Sequence, residues 1–287
     1  MKIDEKDDVV NVYVRQSWLN DAMICPERSR LAIMLPTWRS SSDATVLGTA
    51  VHTAIEKILT GTTEVTYMNE EFVLALDDLV KEEPFKFNSM SSVNEMREFG
   101  LLMVDSFRRD ILPSVELGGR VEHTFTHELS TLDGVFQYNG KPVKILFNGT
   151  MDYVTPSGVI WDWKTAARKY SQNDKQKQSI QASVYAHAVV KEGWSDYPVQ
   201  FNYGVMTRTS KSVGQIVKVV RTQAHAQWIQ RQVENIVTQA LRTSVDMPWL
   251  ANDQNNLCSS KWCSFWSICK GAHVSEQDNT PQEENNG

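Results

Sequence analysis

The sequence predicts a single mixed α/β domain with a helical cap. The order of the elements carries this prediction: helical periodicity fills the first 112 residues, β-branched and aromatic residues dominate residues 120–164, and helices and strands alternate afterwards. With 287 residues, 41% of them apolar, the chain is long enough to bury a substantial core. Its 14 Gly and 9 Pro exclude the collagen-like and low-complexity classes.

The first part of the chain is expected to be helical. One helix begins at Ser17, whose hydroxyl suits an N-cap, and it is interrupted at Cys25–Pro26 because proline has no N–H to donate. A second helix is predicted over residues 48–59, where apolar residues recur at the helical period. Residues 69–82 and 91–112 have the same character.

The remaining elements follow a change of period. Residues 120–164 combine β-branched and aromatic side chains with Gly, Asn and Pro, which predicts several antiparallel strands. A long helix, two strands and a final helix are expected over residues 176–192, 200–207, 215–221 and 223–243.

These elements predict one domain over residues 1–272. It contains a helical insertion at about 60–115 and a Cys-rich segment at about 250–271. Ser275–Gly287 lacks apolar residues, so we expect an acidic, disordered tail over residues 273–287.

The charge balance excludes one class of protein. The chain has 29 basic and 35 acidic residues, a formal net charge of -6, so it does not coat nucleic acid through bulk positive charge. A local basic groove is compatible with this total, and an active site built from carboxylates would itself lower it. The chain has no stretch approaching 18 apolar residues, and its N-terminus is acidic, so we expect neither a membrane span nor a secretory signal.

Two aspartates face each other in a hairpin predicted over residues 147–166. The turn chemistry of Pro156-Ser157-Gly158 separates two strand-like runs. In a simple hairpin centred on Ser157, Asp152 and Asp162 are directly opposed, with Cβ atoms about 4.5–5.5 Å apart. Two carboxylates at that distance repel each other unless a cation lies between them or one is protonated. This register therefore predicts a site for a cation.

Lys164 adds an amine to the carboxylate pair. It lies two residues after Asp162, so strand alternation places both side chains on one face and Trp163 on the other. Hard oxygen ligands suit Mg²⁺ or Mn²⁺, and an ammonium beside them can orient a water nucleophile or stabilise charge on an attacked phosphate. The alternative is an exposed hairpin whose charges are solvated or paired, because Asp-x-Lys alone is a common tripeptide.

Several other polar residues are candidates for the same site. His52 and Glu56 share a helix face at i, i+4 spacing, and imidazole would be an additional metal ligand. Gln181 and Tyr185 repeat the spacing, and there an amide and a phenol would hold a phosphate or stack on a base. The alternatives are a surface or satisfied core histidine and an ordinary polar helix edge.

A last set comprises two acids on the strands before the hairpin and two basic groups. The basic groups either contact DNA phosphates or form a solvated face. The acids are Glu122 and Glu128. The first basic group is Arg168, Lys169, Lys175 and Lys177, and the second is Arg208, Lys211, Lys218 and Arg221.

The four cysteines predict a metal centre that joins the two ends of the chain. Cys258, Cys263 and Cys269 lie within twelve residues, and Cys25 lies far upstream. Four thiols are the usual ligand count for zinc or an iron–sulfur cluster, and the aromatic residues in CSSKWCSFWSICKG would exclude water from either. Spacing alone leaves both metals open, and the alternative to a metal centre is a set of scattered buried thiols.

Taken in order, these motifs resemble the PD-(D/E)XK nuclease superfamily. Within it they are most similar to the RecB-like branch with an iron–sulfur cluster, which includes the CRISPR-associated exonucleases. The motifs span Ser17–Gly271 and read Cys25-Pro26, Gly48-x-x-x-His52-x-x-x-Glu56, Gly149-x-x-Asp152, Asp162-x-Lys164-Thr165, Gln181-x-x-x-Tyr185 and the terminal cysteines. Met151 stands where the family motif has proline, and the terminal cysteines read C-x4-C-x5-C, with a longer first gap than is usual in the relatives.

The resemblance implies a restriction-endonuclease-like fold, in which a mixed sheet is flanked by helices between an N-terminal helical region and a C-terminal Cys-rich segment. It implies that the four cysteines hold a 4Fe–4S cluster and that Mn²⁺ or Mg²⁺ binds to side chains and to one main-chain carbonyl, that of Trp163. The family's metal-binding and catalytic positions match His52, Asp152, Asp162, Trp163, Lys164, Gln181 and Tyr185.

The function expected from these features is that of a metal-dependent DNA exonuclease acting on single strands or duplex ends. It would serve DNA repair, recombination, replication or phage DNA metabolism in the cytoplasm of a bacterial or phage-infected cell. One alternative is a non-catalytic nucleic-acid-binding module with a structural zinc centre. Another is a nuclease subunit that works only beside a helicase or recombination partner.

Overall fold

A computed structural model of the protein describes residues 1–274, apart from residues 7, 39, 40, 83, 133 and 135. Of the tail expected at 273–287, residues 275–287 lie outside the described residues. No helix within the described part of the chain is both long enough and apolar enough to span a bilayer.

The N-terminal part of the chain is mainly helical, as predicted. Its elements are β1 (Lys2–Lys6), β2 (Val9–Arg15), α1 (Gln16–Ile24), α2 (Pro26–Met34), β3 (Ser41–Ser42), α3 (Asp43–Leu59), α4 (Met68–Glu82), β4 (Phe85–Lys86) and α5 (Val93–Ser106).

Three details of this part differ from the prediction. Strands β1 and β2 were not predicted, and because β2 runs directly into α1, the N-cap is Arg15 rather than Ser17. Helix α3 begins five residues earlier than expected because the hydroxyl of Ser42 accepts a hydrogen bond from the N–H of Thr45 and caps the helix. Helix α5 ends at Ser106 and continues as a π-helical turn over Phe107–Ile111.

The C-terminal part contains the strands of the predicted hairpin. Its elements are β5 (Arg120–Thr131), β6 (Gln137–Tyr138), β7 (Lys141–Val154), β8 (Ile160–Ala166), α6 (Gln172–Lys177), α7 (Ile180–Lys191), β9 (Val199–Thr207), β10 (Gly214–Arg221) and α8 (Gln223–Thr243). The helix predicted over residues 176–192 begins four residues later than expected, at Ile180, and a separate short helix precedes it. Two helices occupy the region because the hydroxyl of Ser179 accepts from the N–H of Ala182 and starts a new helix there.

One mixed sheet joins all strands except the short β3–β4 pair. Its main order is β1-β2-β7-β8-β9-β10, and β5 and β6 pair with β7 as well. The β2–β7 and β8–β9 pairs are parallel, whereas β7–β8 and β9–β10 are antiparallel. Helices α6 and α7 form the crossover between the parallel strands β8 and β9, as such a connection requires.

The sheet has a gap beside strand β7. Strand β5 pairs with one edge of β7 from Lys144 to Val154, so β2 and β8 must share the opposite edge. Strand β2 pairs only as far as Asn148, and β8 joins only at Tyr153 and Val154. Residues 149–152 therefore lie where one neighbouring strand has left and the next has not yet joined.

Helices cover both faces of the sheet, which confirms the predicted fold class. One apolar cluster joins the sheet to α1, α7 and α8, and a second joins it to α3, α4 and α5. Trp161 and Trp163 of β8 belong to the second cluster, where Trp163 packs edge-on against Phe107. The side chain of Trp163 therefore points away from Asp162, as strand alternation predicts.

Candidate active site

The candidate active site lies at the gap beside β7. Helix α3 borders the gap on one side and α7 reaches it from the other, while β5, β7 and β8 supply acidic and basic side chains. The result is a cleft of about 700 Å³. Its lining residues are Ala44, Thr45, Gly48, Thr49, His52, Thr53, Glu56, Glu122, Asp152, Lys164 and Thr165.

The hairpin has the predicted register where its strands pair. Tyr153 faces Trp161 and Val154 faces Ile160, so the turn is centred on Ser157. One step further from the turn, the main-chain N–H of Trp163 donates to Asp152 Oδ2 at 2.7 Å. This hydrogen bond fixes the Asp152 carboxylate at the start of the divergence between β7 and β8.

Asp162 is buried between two donors. Its side chain is 1% exposed, Lys164 Nζ lies 2.5 Å from Oδ2, and Gln181 Nε2 donates to Oδ1 at 2.7 Å. Burial raises the pKa of Asp162 to about 6, an effect that Asp152 strengthens and Lys164 opposes. Burial lowers the pKa of Lys164, but the charges of Asp162 and Asp152 outweigh it and raise that pKa above its ordinary value. Lys164 is therefore an ammonium group at neutral pH, able to stabilise negative charge.

His52 presents an imidazole to Asp152. Its Nδ1 lies 3.7 Å from Asp152 Oδ2, and the ring also hydrogen-bonds to the main chain of Trp163. Burial and the charge of Lys164 lower the pKa of His52, which favours the neutral ring that a metal ion requires. For the carboxyl group of Asp152, burial has the opposite effect and raises the pKa.

Glu122 joins this group through an unusual backbone conformation. Its φ is +47°, in the left-handed region that a non-glycine residue seldom adopts within a strand, and the β5–β7 ladder pairs Val121 and His123 but not Glu122. Desolvation in the cleft and the charges of Asp152, Glu56 and Asp162 raise its pKa to about 7. The sequence marks Glu122 only as an acid in a strand and carries no signal for this conformation.

The donor set fits a divalent metal ion. Ligand atoms of His52, Glu122 and Asp152 lie within 4.8 Å of one another. One imidazole nitrogen with carboxylate oxygens is a set that accepts Mn²⁺ or Mg²⁺. Asp162 was expected in this set, but Lys164 and Gln181 hold its carboxylate on the adjoining side, so Glu122 occupies the third place in the close group.

Tyr185 does not have the predicted environment. It is buried, and it packs edge-on against Phe125 and at a tilt against Phe201. Burial raises its pKa. The expected stacking of this ring on a base conflicts with its burial, whereas Gln181 on the same helix does reach the site, through Asp162.

The basic residues divide into three environments. Arg221 is buried, and its guanidinium donates to main-chain carbonyls of Lys175, Gln176, Ser179 and Val220, so it is not available to DNA. Lys175 is half-buried over aromatic rings, and Arg208 is half-buried as well. The exposed members are Arg168, Lys169, Lys177, Lys211 and Lys218.

Glu128 lies outside the site although it shares strand β5 with Glu122. Its Oε1 accepts from the hydroxyl of Thr131 at 2.8 Å, and its Oε2 lies 3.4 Å from Lys144 Nζ. A β-bulge between Glu128 and Ser130 shifts the register of this end of the strand. Of the two acids named from sequence, only Glu122 reaches the cleft.

The four cysteines converge at a second location. They line a cavity of about 600 Å³ between the α1–α2 junction and the C-terminal segment. The N–H of Asn252 donates to Cys25 Sγ at 3.4 Å, and the N–H of Trp249 donates to Glu27 Oε2 at 2.6 Å, so the C-terminal segment lies against the start of α2. Burial raises the pKa of Cys258 and of Cys269.

Comparison with known proteins gives the family. The sequence model of the PD-(D/E)XK nuclease superfamily matches residues 16–270. The chain belongs to the PD-(D/E)XK nuclease superfamily. The central mixed sheet flanked by helices is thus the restriction-endonuclease-like core of this superfamily, as the motifs implied.

Solved structures of similar fold accompany this PD-(D/E)XK match. A protein of Eubacterium rectale, provisionally designated an exonuclease, is 16% identical with a TM-score of 0.51 over 78% of this chain and 80% of its own. The structure of SSO0001 is 14% identical and covers 94% of this chain and 90% of its own, but its TM-score of 0.37 supports no inference. No functionally curated protein matches the sequence.

Proposed function

We propose that this PD-(D/E)XK chain is a metal-dependent DNA exonuclease that hydrolyses phosphodiester bonds in single strands or at duplex ends. The observation that carries the proposal is that Asp152, Lys164 and the imidazole of His52 line one cleft, with the buried Asp162 paired to Lys164. Membership of a nuclease superfamily supports phosphodiester hydrolysis. The exonuclease designation of the E. rectale protein agrees with the proposal that this chain requires a DNA end.

The metal ligands proposed are His52, Glu122 and Asp152, which already form a close group. Asp162 and the main-chain carbonyl of Trp163, the remaining positions of the family motif, are proposed to complete the set. When bound, Mn²⁺ or Mg²⁺ would polarise a phosphate oxygen and lower the pKa of water near the phosphorus. The carboxylate-rich cleft supports this assignment because Asp152, Glu122 and Glu56 repel one another in the absence of a cation.

The protein's own groups have separate tasks in this proposal. Lys164 keeps its proton and donates to a phosphate oxygen on which charge develops. Gln181 holds the Asp162 carboxylate toward Lys164, and the N–H of Trp163 holds that of Asp152. These contacts fix the side chains before DNA binds, so little reorganisation accompanies the reaction.

The four cysteines are proposed to hold a 4Fe–4S cluster. All four line one cavity between the α1–α2 junction and the C-terminal segment, and four thiolates are the usual ligand number of such a cluster. An iron–sulfur protein is yellow-brown with broad visible absorbance, whereas a zinc protein is colourless. The cluster would fasten the C-terminal segment to the N-terminal helices without taking part in hydrolysis.

The proposed nuclease acts in DNA repair, recombination, replication or phage DNA metabolism, alone or beside a helicase or recombination partner. Its setting is the cytoplasm of a bacterial or phage-infected cell. Membership of a nuclease superfamily supports this part of the proposal.

The test is digestion of end-labelled single strands, duplexes and circles with Mn²⁺ or Mg²⁺. We expect linear DNA to be degraded, circles to resist and EDTA to abolish cleavage. Lys164→Ala and Asp162→Asn should each lower the rate by about 10²–10³-fold because each removes a charge from the reacting centre.

The control is Lys144→Ala, which removes a lysine that lies beside Glu128 outside the site and should retain the wild-type rate. Cleavage by purified Lys164→Ala at the rate of this control would refute the assignment. Binding of DNA by the wild type without degradation under any metal would instead favour a non-catalytic binding module.

A further inference from the structure

Helix α6 is fastened to the exposed edge of the sheet by side-chain amides. The Gln172 amide donates to the carbonyl of Lys218 and accepts from its N–H. In the same way, the Gln176 amide donates to the carbonyl of Val220 at 3.2 Å and accepts from its N–H at 3.0 Å. Strand β10 is the last strand of the sheet, and its outer N–H and C=O groups would otherwise lack partners. The two amides thus hold α6 at a fixed register along β10.

Arg221 holds the end of the same helix. Its guanidinium is buried and donates to the carbonyls of Lys175 and Gln176 at 3.0 and 2.9 Å. Positive charge at the C-terminal end of a helix is favourable because the last carbonyls carry partial negative charge. Helix α6 is therefore anchored both along its side and at its end, which fixes the backbone of Lys175.

The side chain of Lys175 is a cation on the sheet face of the proposed catalytic lysine. It lies above Tyr203, which pairs with Asp162 across the β8–β9 ladder, and Lys164 follows Asp162 by two residues on the same face. Lys175 Nζ lies 4.2 Å above the ring of Tyr170 and 5.2 Å above that of Tyr203, and the described residues provide no hydrogen bond or carboxylate within ion-pair distance. Burial and the charge of Lys164 lower the pKa of Lys175, whereas Asp162 raises it. Two neighbouring ammonium groups repel each other, and an anion between them relieves the repulsion.

We propose that Lys175 binds a phosphate of the DNA backbone next to the phosphate that is hydrolysed at Lys164. This inference rests on the proposed nuclease function and adds a substrate-positioning residue to it. Lys169 and Lys177 differ from Lys175, because both are exposed and, within the described part of the chain, neither lies over an aromatic ring. The rings of Tyr170 and Tyr203 meet edge to face and hold the ammonium in place, so a bound phosphate would restrict this side chain little further.

The experiment compares Lys175→Gln with Lys177→Gln, an identical charge change two residues away on the same helix. Binding of a labelled single-stranded oligonucleotide is measured by fluorescence anisotropy with Ca²⁺ in place of Mn²⁺, over a range of salt concentrations. We expect Lys175→Gln to raise Kd about 10-fold and to flatten the salt dependence by about 0.7 in log Kd per log salt. Lys177→Gln should have a smaller effect on both Kd and its salt dependence. Lys175→Arg, which keeps the positive charge, should bind DNA nearly as tightly as the wild type.

Equal effects of Lys175→Gln and Lys177→Gln would overturn the inference. If Lys175→Gln has a lower Tm than the wild type, Lys175→Met is used in its place, because it removes the charge but keeps an unbranched aliphatic side chain. In cleavage with Mn²⁺, the inference predicts a raised KM with kcat largely kept. A wild type that degrades no DNA, with Lys175→Gln still binding more weakly, would refute the nuclease proposal alone.

Discussion

Glu122 shows how one backbone conformation changes what the site can bind. The left-handed φ of +47° takes this residue out of the ladder and brings its carboxylate to His52 and Asp152. Such strained conformations cost about 1–3 kcal/mol and are concentrated at functional sites. A proton and a metal ion would compete for the Glu122 carboxylate.

We therefore expect Mn²⁺ affinity to depend on pH near neutrality. The pKa of Glu122 is raised to about 7, so the protonated acid predominates below pH 7 and the metal-binding carboxylate above it. Affinity should rise by about tenfold from pH 6 to pH 8, since the ionised fraction grows by that factor. Titration of free Mn²⁺ by electron paramagnetic resonance measures this.

The matched control for this titration is on the same strand. Glu122→Gln should bind Mn²⁺ more weakly and with a flatter pH profile, whereas Glu128→Gln should behave as the wild type because Glu128 pairs with Thr131 and Lys144 away from the cleft. A Glu122→Gln variant with wild-type affinity and pH profile would exclude this carboxylate as a ligand.

The sequence predicted the register of the β7–β8 hairpin, in which Tyr153 pairs with Trp161, because both determinants of that register are local. Pro156-Ser157-Gly158 specifies the turn, and the period of two then decides which side chains meet across the strands. The contribution of Glu122 depends on a backbone irregularity, and the burial of Arg221 depends on packing between distant elements. Neither leaves a periodic trace in the sequence.

At the scale of elements, the break between α6 and α7 is the main departure from the predicted structure. Residues 176–192 have helical character throughout, but Ser179 caps a new helix, and its hydroxyl also hydrogen-bonds to that of Tyr203. Ser, whose side chain competes for backbone donors, favours such a boundary. The break allows α6 to lie along β10 while α7 carries Gln181 to Asp162.

The amide contacts between α6 and β10 predict a coupled effect on dynamics and on substrate binding. In the double variant Gln172→Ala and Gln176→Ala, the main-chain groups of Lys218 and Val220 lose their partners and α6 loses its fixed register. We expect at least tenfold faster hydrogen exchange at these two amides and a severalfold higher KM for DNA, because Lys175 no longer has a fixed position.

The control for this variant is Gln178→Ala. Gln178 is exposed and follows the end of α6, and the same kind of side chain is truncated there without touching β10. Exchange at β10 that does not change in the double variant would show that the amides contribute nothing to the docking of α6. An unchanged KM together with faster exchange would show that Arg221 and the two tyrosine rings fix the position of Lys175 without the amides.

At the scale of the whole molecule, the sequence predicted the order of layers but not the complete sheet. The change from helical to strand periodicity near Arg120 placed the cap and the core correctly. Strand β2 went unrecognised even though its residues alternate, because its parallel pairing with β7 joins segments more than a hundred residues apart. Non-local pairing of this kind cannot be derived from a local period. The location of all four cysteines at one cavity was predictable, because four thiols are the usual number of ligands for one metal centre.

The cysteine centre predicts a loss of global stability when one ligand is removed. Cys25 lies at the α1–α2 junction, and the other three cysteines lie in a C-terminal segment with little regular secondary structure. A bound cluster would close almost the whole chain into a loop, so its loss should free that segment.

For Cys25→Ser we expect the visible absorbance to disappear and Tm to fall by roughly 5–10 °C, as for a loss of a few kcal/mol. Ser264→Ala, an exposed change beside Cys263, should keep both properties. Absorbance and calorimetry on the two variants measure this, and a colourless wild type with stoichiometric zinc would replace the cluster by a zinc centre with the same structural role.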